Sequence, residues 1–373
     1  LLISMSSSSS PRLYGLDTLR ALAIVLVFMH HYVLFVSEGA AFGFLGEIGW
    51  MGVDLFFALS GYLIGNQIFA ALRSEHGFSL PRFYARRLLR TLPSFYAVLA
   101  LYYLWPTFRG DSALLPLWKL LTFTQNINLT PGTAFSHAWS LCVEEQFYVL
   151  LPAVALLVAA CRKSLLWAWL AVTASCIVGM LLRAYAWDEY VQVPRGGLGY
   201  YKYIYYASWC RCDELVAGVA LALLKNYHPR AWTRLTAHGN RTLLAGIVAT
   251  ALVMYVFLTD HYGYGVTVFG YPALAASFTV LLLAALSPAS TLYQLRVPGA
   301  ASLALWSYAI YLLHKQLCIL LRPILHDMGY APDSLPAMLV MILLSIATGW
   351  LLYSLVEAPF MRLRARYVPA NHA

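Results

Sequence analysis

Arg20 and His31 stand eleven residues apart in a stretch, Gly15 to Tyr32, that is otherwise almost entirely apolar. In a helix eleven residues make three turns plus about 20°, so the two share a face and lie roughly 16 Å apart along the axis. Asp17, about 40° round the helix from His31, extends the same polar stripe, whereas His30 points about 100° away. A charged group at the centre of a bilayer costs roughly 2.5–3.5 kcal/mol on insertion scales, so each such residue is by default a functional candidate. An imidazole in that position suits proton transfer near neutral pH.

The same test selects residues in two more windows. The run from Gly49 to Tyr62 holds Asp54 near one end and Ser60 deeper. The run from His137 to Gln146 holds Ser140 and Glu144 one helical turn apart, with Glu145 adjacent. Glu144 and Glu145 also have a plainer reading, as partners that neutralise Arg20 or Arg211 and make the bundle insertable.

The elements that must position these groups are membrane helices. The 373 residues are 61% hydrophobic and 11% charged, against about 25% charged in a soluble chain. The apolar residues fall in windows of about twenty, which predicts an all-α polytopic transmembrane bundle of about ten helices, near residues 16–36, 49–72, 88–105, 138–160, 165–187, 204–224, 242–258, 266–286, 300–321 and 336–356. The stretch 114–127 is apolar but short, and reads as re-entrant or interfacial. A barrel would show short alternating segments instead.

With the N-terminus inside, inner segments hold 16 Lys or Arg and outer ones 4 (Arg109, Lys119, Arg195 and Lys202), five more lying within the windows. That bias predicts both termini on the cytoplasmic side. It also accounts for the net charge of +9 without a nucleic-acid partner. The six cysteines fall in or beside apolar windows and show neither a disulfide framework nor a zinc spacing, so no metal is expected. Residues 1–12 read as a flexible, serine-rich tail, 13–361 as one transmembrane domain and 362–373 as a basic cytoplasmic tail.

Four blocks in this chain resemble the signatures of the acyltransferase 3 family, membrane proteins that acylate surface polysaccharides, peptidoglycan, nodulation factors and some macrolides. They are Gly-Leu-Asp-x-Leu-Arg followed, after ten intervening residues, by His, at Arg20 and His31; Gly-Val-Asp-Leu-Phe-Phe-x-Leu-Ser-Gly, at Gly52 to Gly61; Arg-Arg-x-x-Arg-x-x-Pro, at Arg86, Arg87, Arg90 and Pro93; and Trp-Ser-Leu-x-Val-Glu-Glu-Gln-Phe-Tyr, at Trp139 to Tyr148. Fainter echoes fall on Arg211, on Tyr311 and His314, and on Glu357 and Pro359.

The resemblance implies transfer of an acyl group, usually acetyl from acetyl-CoA, to a sugar hydroxyl in the bacterial envelope, by a multi-pass protein of the cytoplasmic membrane. It makes His31 the general base or a transient acyl carrier, with Arg20, Asp17, Glu144 and Glu145 in support. Arg86, Arg87 and Arg90, with Arg20, become the expected contacts for the phosphates and pantetheine arm of CoA, since guanidinium forks suit phosphate. Asp54, Ser60, Trp139, Ser140, Arg211, Tyr311 and His314 become expected acceptor contacts. The tyrosines from Tyr200 to Tyr206 read as an interfacial belt first and a sugar platform second. Many family members carry an extracytoplasmic hydrolase-like domain; none is expected here, and a separate extracytoplasmic partner enzyme is then one expected route to completion. The rival reading is a transporter that uses the buried Arg, His and Glu residues as an ion pathway.

Overall fold

The computed structural model describes residues 12–39, 41–192 and 196–369. The expected tail at 1–12 therefore lies outside the described residues except for Arg12, as do Arg195 and the last four residues of the expected C-terminal tail. Among the described residues the regular elements are all helical. They are α1 (Tyr14–Tyr32), α2 (Met51–Arg73), α3 (Leu80–Leu104), α4 (Trp139–Ala159), α5 (Ser164–Tyr190), α6 (Asp213–Tyr227), α7 (Gly239–Thr259), α8 (Tyr271–Ala285), α9 (Ala300–Asp327), α10 (Leu335–Leu352) and α11 (Ala358–Tyr367), with shorter helical turns between them.

Among the described residues, eight helical segments are long and apolar enough to cross a membrane. Two expected windows stand outside that set. α3 carries Arg82, Arg86, Arg87 and Arg90 in its first half. The window at 204–224 is not one helix but a π-helical turn (Tyr201–Tyr205), a 3-10 turn (Ser208–Cys210) and then α6. The 15 residues of α6 rise only about 22 Å, short of the roughly 30 Å hydrocarbon core. The break falls where Ser208, Arg211, Asp213 and Glu214 interrupt the apolar run.

α1 packs against both α2 and α9, and α6 lies along α2. Glycine permits that last contact: a Cβ on Gly61 would overlap the Leu215 carbonyl oxygen, and one on Gly218 would overlap the Ala58 carbonyl oxygen. Small residues that let helix backbones approach are the usual means of packing in lipid, where apolar burial gives little drive.

Two buried ion pairs brace this half of the bundle. Arg211 pairs with Asp54 and Arg183 with Asp213, and both arginines are fully buried. Arg183 also donates to the carbonyls of Cys210 at 2.8 Å and Val268 at 3.2 Å. The Arg211 guanidinium lies 4.3 Å from the Tyr271 ring centroid and 4.6 Å from that of Tyr205.

The long connection between α3 and α4, which includes the stretch 114–127, contains a short helix (Leu117–Leu121) followed by turns. Asn126 anchors it, donating to the Tyr206 carbonyl at 3.0 Å and to Ser208 Oγ at 2.8 Å while accepting from Gln146 Nε2 at 3.0 Å. The connection thereby delivers Ser136 and His137 to the start of α4 in fixed positions. At the other end of the chain, Arg362, Arg364 and Arg366 lie on α11, which packs against α3.

Candidate active site

α1 is continuous through Arg20 and His31, and the two residues open into different cavities. His31 lines a cavity of about 280 Å³, together with His30, His137, His261, Lys315 and several aromatic rings. Its Nδ1 lies 2.7 Å from His314 Nε2, on α9. His314 Nδ1 in turn lies 3.0 Å from both the Ile310 and the Tyr311 carbonyl oxygens. The His137 ring completes a cluster, 6.0 Å from His31 and 5.9 Å from His314 between centroids. His137 Nε2 donates to the Leu312 carbonyl at 3.3 Å, and its Nδ1 has no hydrogen-bond partner among the described residues. In the loop between α7 and α8, burial pushes the His261 imidazole down to about 4, with His30 and Arg211 adding to the effect, so it is neutral at physiological pH.

Lys315 is the cation of this cavity. Its Nζ donates to Ser136 Oγ at 3.1 Å and lies 4.2 Å from the Phe35 ring centroid, and among the described residues it has no carboxylate within ion-pair distance. The walls carry Trp50, Trp139, Tyr201, Tyr205, Tyr206 and Tyr262, flat faces of the kind that pack against a sugar ring.

The second cavity, about 430 Å³, is lined by Arg20, Arg86, Arg87, Arg90 and Arg364 against the two carboxylates of Glu144 and Glu145. Ser60 Oγ donates to Glu144 Oε1 at 3.0 Å and Tyr148 Oη to Oε2 at 3.2 Å. The Arg87 guanidinium stacks 3.9 Å from the Tyr148 ring centroid. Arg86 Nη1 donates to the Val368 carbonyl at 2.5 Å, and the Nε atoms of Arg86, Arg87 and Arg364 have no hydrogen-bond partner among the described residues. Five guanidinium groups thus stand around two carboxylates, a lining in which positive charge exceeds negative.

Val53 lines both cavities. Trp139 faces the histidine cavity while the next residue, Ser140, faces the arginine cavity with Tyr311, and Ser140 Oγ lies 2.6 Å from Tyr311 Oη. Of the residues selected from sequence, the structure thus gathers Arg20, Arg86, Arg87, Arg90, Ser60, Ser140, Glu144, Glu145 and Tyr311 in one cavity and His31 and Trp139 in the other.

Four fall elsewhere: His314, which contacts His31 from behind and lines neither cavity, and Asp17, Asp54 and Arg211. Asp17 turns to Arg12, at 2.6 Å, and lines neither cavity. Asp54 and Arg211 pair with each other behind the Trp139 and Tyr205 walls. The partner of Arg211 is therefore Asp54, and Glu144 is held by Ser60 and Tyr148. The 100° offset of His30 still leaves it on the histidine cavity wall, with Nδ1 3.1 Å from the Gly46 carbonyl oxygen.

His137, His261, Lys315 and Arg364 were not selected from sequence. Only Lys315 carried a legible signal, a charge inside an apolar window with no acid within a helical turn. Among the described residues no group of three or more His, Cys, Asp or Glu is arranged to hold a metal ion.

A family model described as an acyltransferase domain matches residues 13–354. The chain is 28% identical over 334 residues to the putative peptidoglycan O-acetyltransferase YrhL of Bacillus subtilis, covering 83% of this chain and 49% of that protein. It is 26% identical over 335 residues to the peptidoglycan O-acetyltransferase OatA of Listeria monocytogenes, covering 83% and 50%. A shorter match, 32% over 163 residues, joins 39% of this chain to 25% of the O-acetyltransferase OatA of Staphylococcus aureus. The chain spans about half the length of the first two relatives. No solved structure matches it.

Proposed function

The chain belongs to the acyltransferase 3 family, and from that membership we propose that it is a membrane O-acyltransferase that accepts acyl-CoA, acetyl-CoA first of all, at the arginine cavity and delivers the acyl group to a glycan hydroxyl at the histidine cavity. The observation that carries this reading is the pair of polar cavities meeting at Val53, one rich in guanidinium groups and the other in imidazoles and aromatic rings. The family and its peptidoglycan O-acetyltransferase relatives support a glycan acceptor.

A cavity of about 430 Å³ suits the phosphopantetheine end of the donor, with the nucleotide lying outside. Positive-inside topology puts α3 and α11 on the cytoplasmic side, where CoA is available, and the histidine cavity on the outer side. In the reaction the acyl C–S bond breaks and a C–O ester bond forms. The acceptor proton passes to His31, and the thiolate takes up a proton as it leaves. If His31 carries the acyl group first, the same ring nitrogen forms and then releases the acyl bond. Lys315, the unpaired cation of that cavity, opposes the negative charge that develops on the carbonyl oxygen.

The test is purified protein in lipid, radiolabelled acetyl-CoA and a panel of free and lipid-linked glycans. Acyl transfer that disappears in His31→Ala and persists in His30→Ala supports the reading. Flux of a solute across vesicles without a covalent product, or full transfer by His31→Ala, overturns it.

A further inference from the structure

His314 is buried, with 1% of its surface exposed, and lies behind His31 rather than on the cavity wall. Its hydrogen bonds leave little choice about its proton. Nδ1 faces two backbone carbonyl oxygens, of Ile310 and Tyr311, each at 3.0 Å. A carbonyl only accepts, so Nδ1 carries the hydrogen, and in a neutral ring Nε2 then carries the lone pair. The atom 2.7 Å from that lone pair is His31 Nδ1. Two lone pairs at that distance repel, so His31 Nδ1 is the donor.

The ring geometry agrees. The two planes differ by 16° and the centroids are 5.0 Å apart, which is about what coplanar imidazoles joined edge to edge by one hydrogen bond give, and too far for face-to-face contact. The contact is therefore a directed N–H···N bond. It leaves His31 Nε2 with a free lone pair.

We propose that His314 is the positioning residue of the site: through the chain Tyr311 and Ile310 carbonyls to His314 to His31, it holds His31 in the Nδ1–H tautomer, so that Nε2 is the nitrogen that acts. This assigns His314 a role other than contact with the acceptor. It relays orientation from the α9 backbone to α1, as the carboxylate of a hydrolase triad orients its histidine. A neutral imidazole does this without placing a second charge in the membrane. Its consequence for turnover rests on the proposed role of His31; the tautomer assignment does not.

The experiment uses the full chain, 15N-labelled at histidine, in lipid nanodiscs, with the His31 signals assigned by their loss in His31→Gln. In the wild type the His31 nitrogens report the Nδ1–H tautomer. In His314→Ala they shift to the Nε2–H form or to a mixture, and kcat for acyl transfer falls by roughly 10²–10⁴-fold with KM for acetyl-CoA unchanged. In His314→Gln, whose side-chain amide oxygen replaces the Nε2 lone pair, the wild-type tautomer returns with most of the activity. An Nε2–H tautomer in the wild type, or a tautomer unmoved in His314→Ala, overturns the proposal. Should the alanine variant fail to fold, a folded His314→Gln with the Nε2–H form does the same. Activity retained in His31→Ala would instead overturn the proposed function and leave the tautomer result standing.

Discussion

Arg20 and His31 lie on one unbroken helix, eleven residues apart, yet Arg20 opens into the arginine cavity and His31 into the histidine cavity. Roughly 16 Å of helix thus joins the place that suits an anionic donor to the place that suits acid–base chemistry. The wall between them is thin: Val53 faces both sides, and Trp139 and Ser140, adjacent in sequence, face opposite ones. A long, narrow donor arm is the ligand shape that fits such a division.

Arg86 and Arg90 give the first prediction. Both line the arginine cavity, where positive charge exceeds negative. A hydrogen bond to a charged group contributes about 1.5–3 kcal/mol, and every 1.4 kcal/mol is tenfold in affinity. Arg86→Ala and Arg90→Ala are each expected to raise KM for acetyl-CoA by about 10- to 100-fold and to leave KM for the glycan unchanged. Steady-state kinetics with the two substrates varied in turn checks this, and an unchanged KM for acetyl-CoA in both variants removes the phosphate contact.

Lys315 gives the second. Its ammonium lines the histidine cavity and has no carboxylate partner among the described residues, so it is available to charge that appears only during reaction. Removing one such donor costs on the order of 10²–10³-fold in kcat in enzymes that stabilise an oxyanion. Lys315→Met is expected to lose kcat on that order, with KM for acetyl-CoA unchanged, and Lys315→Arg to recover part of it. A Lys315→Met protein that turns over at the wild-type rate contradicts the role.

What the sequence made legible, and what it did not, follows from how far each inference had to reach. The Arg20–His31 relationship was readable because α1 has no break between them, so helical periodicity alone relates the two. The arginines of α3 were readable from a different signal, a local basic cluster that matches one block of the family resemblance. The convergence of His31, His137 and His314 was not, because three separate segments meet there and periodicity says nothing about how helices dock. The window at 204–224 misled because its mean apolarity hides Ser208, Arg211, Asp213 and Glu214, whose hydrogen bonds and ion pairs end one turn and begin another. Arg364 read as a tail charge, whereas α11 folds back along α3 and brings it to the arginine cavity.

The Asp54–Arg211 pair gives the third prediction, and it separates two roles for Asp54. The sequence suggested an acceptor contact; the structure buries both side chains completely, 157 residues apart in the chain, against each other. Removing one partner of a buried ion pair leaves an uncompensated charge and costs about 3–5 kcal/mol, whereas replacing both by apolar groups of similar size is often neutral. Asp54→Leu alone is therefore expected to lower the thermal stability of the detergent-solubilised protein sharply, and Asp54→Leu with Arg211→Met to recover much of it. Activity should follow stability, because Arg211 stacks behind Trp139 and Tyr205 and holds the wall of the histidine cavity in place. Melting curves and glycan KM, measured on the same preparations, decide between the roles. If Asp54→Leu melts like the wild type and raises the glycan KM, Asp54 reaches the acceptor directly and the bracing role is lost.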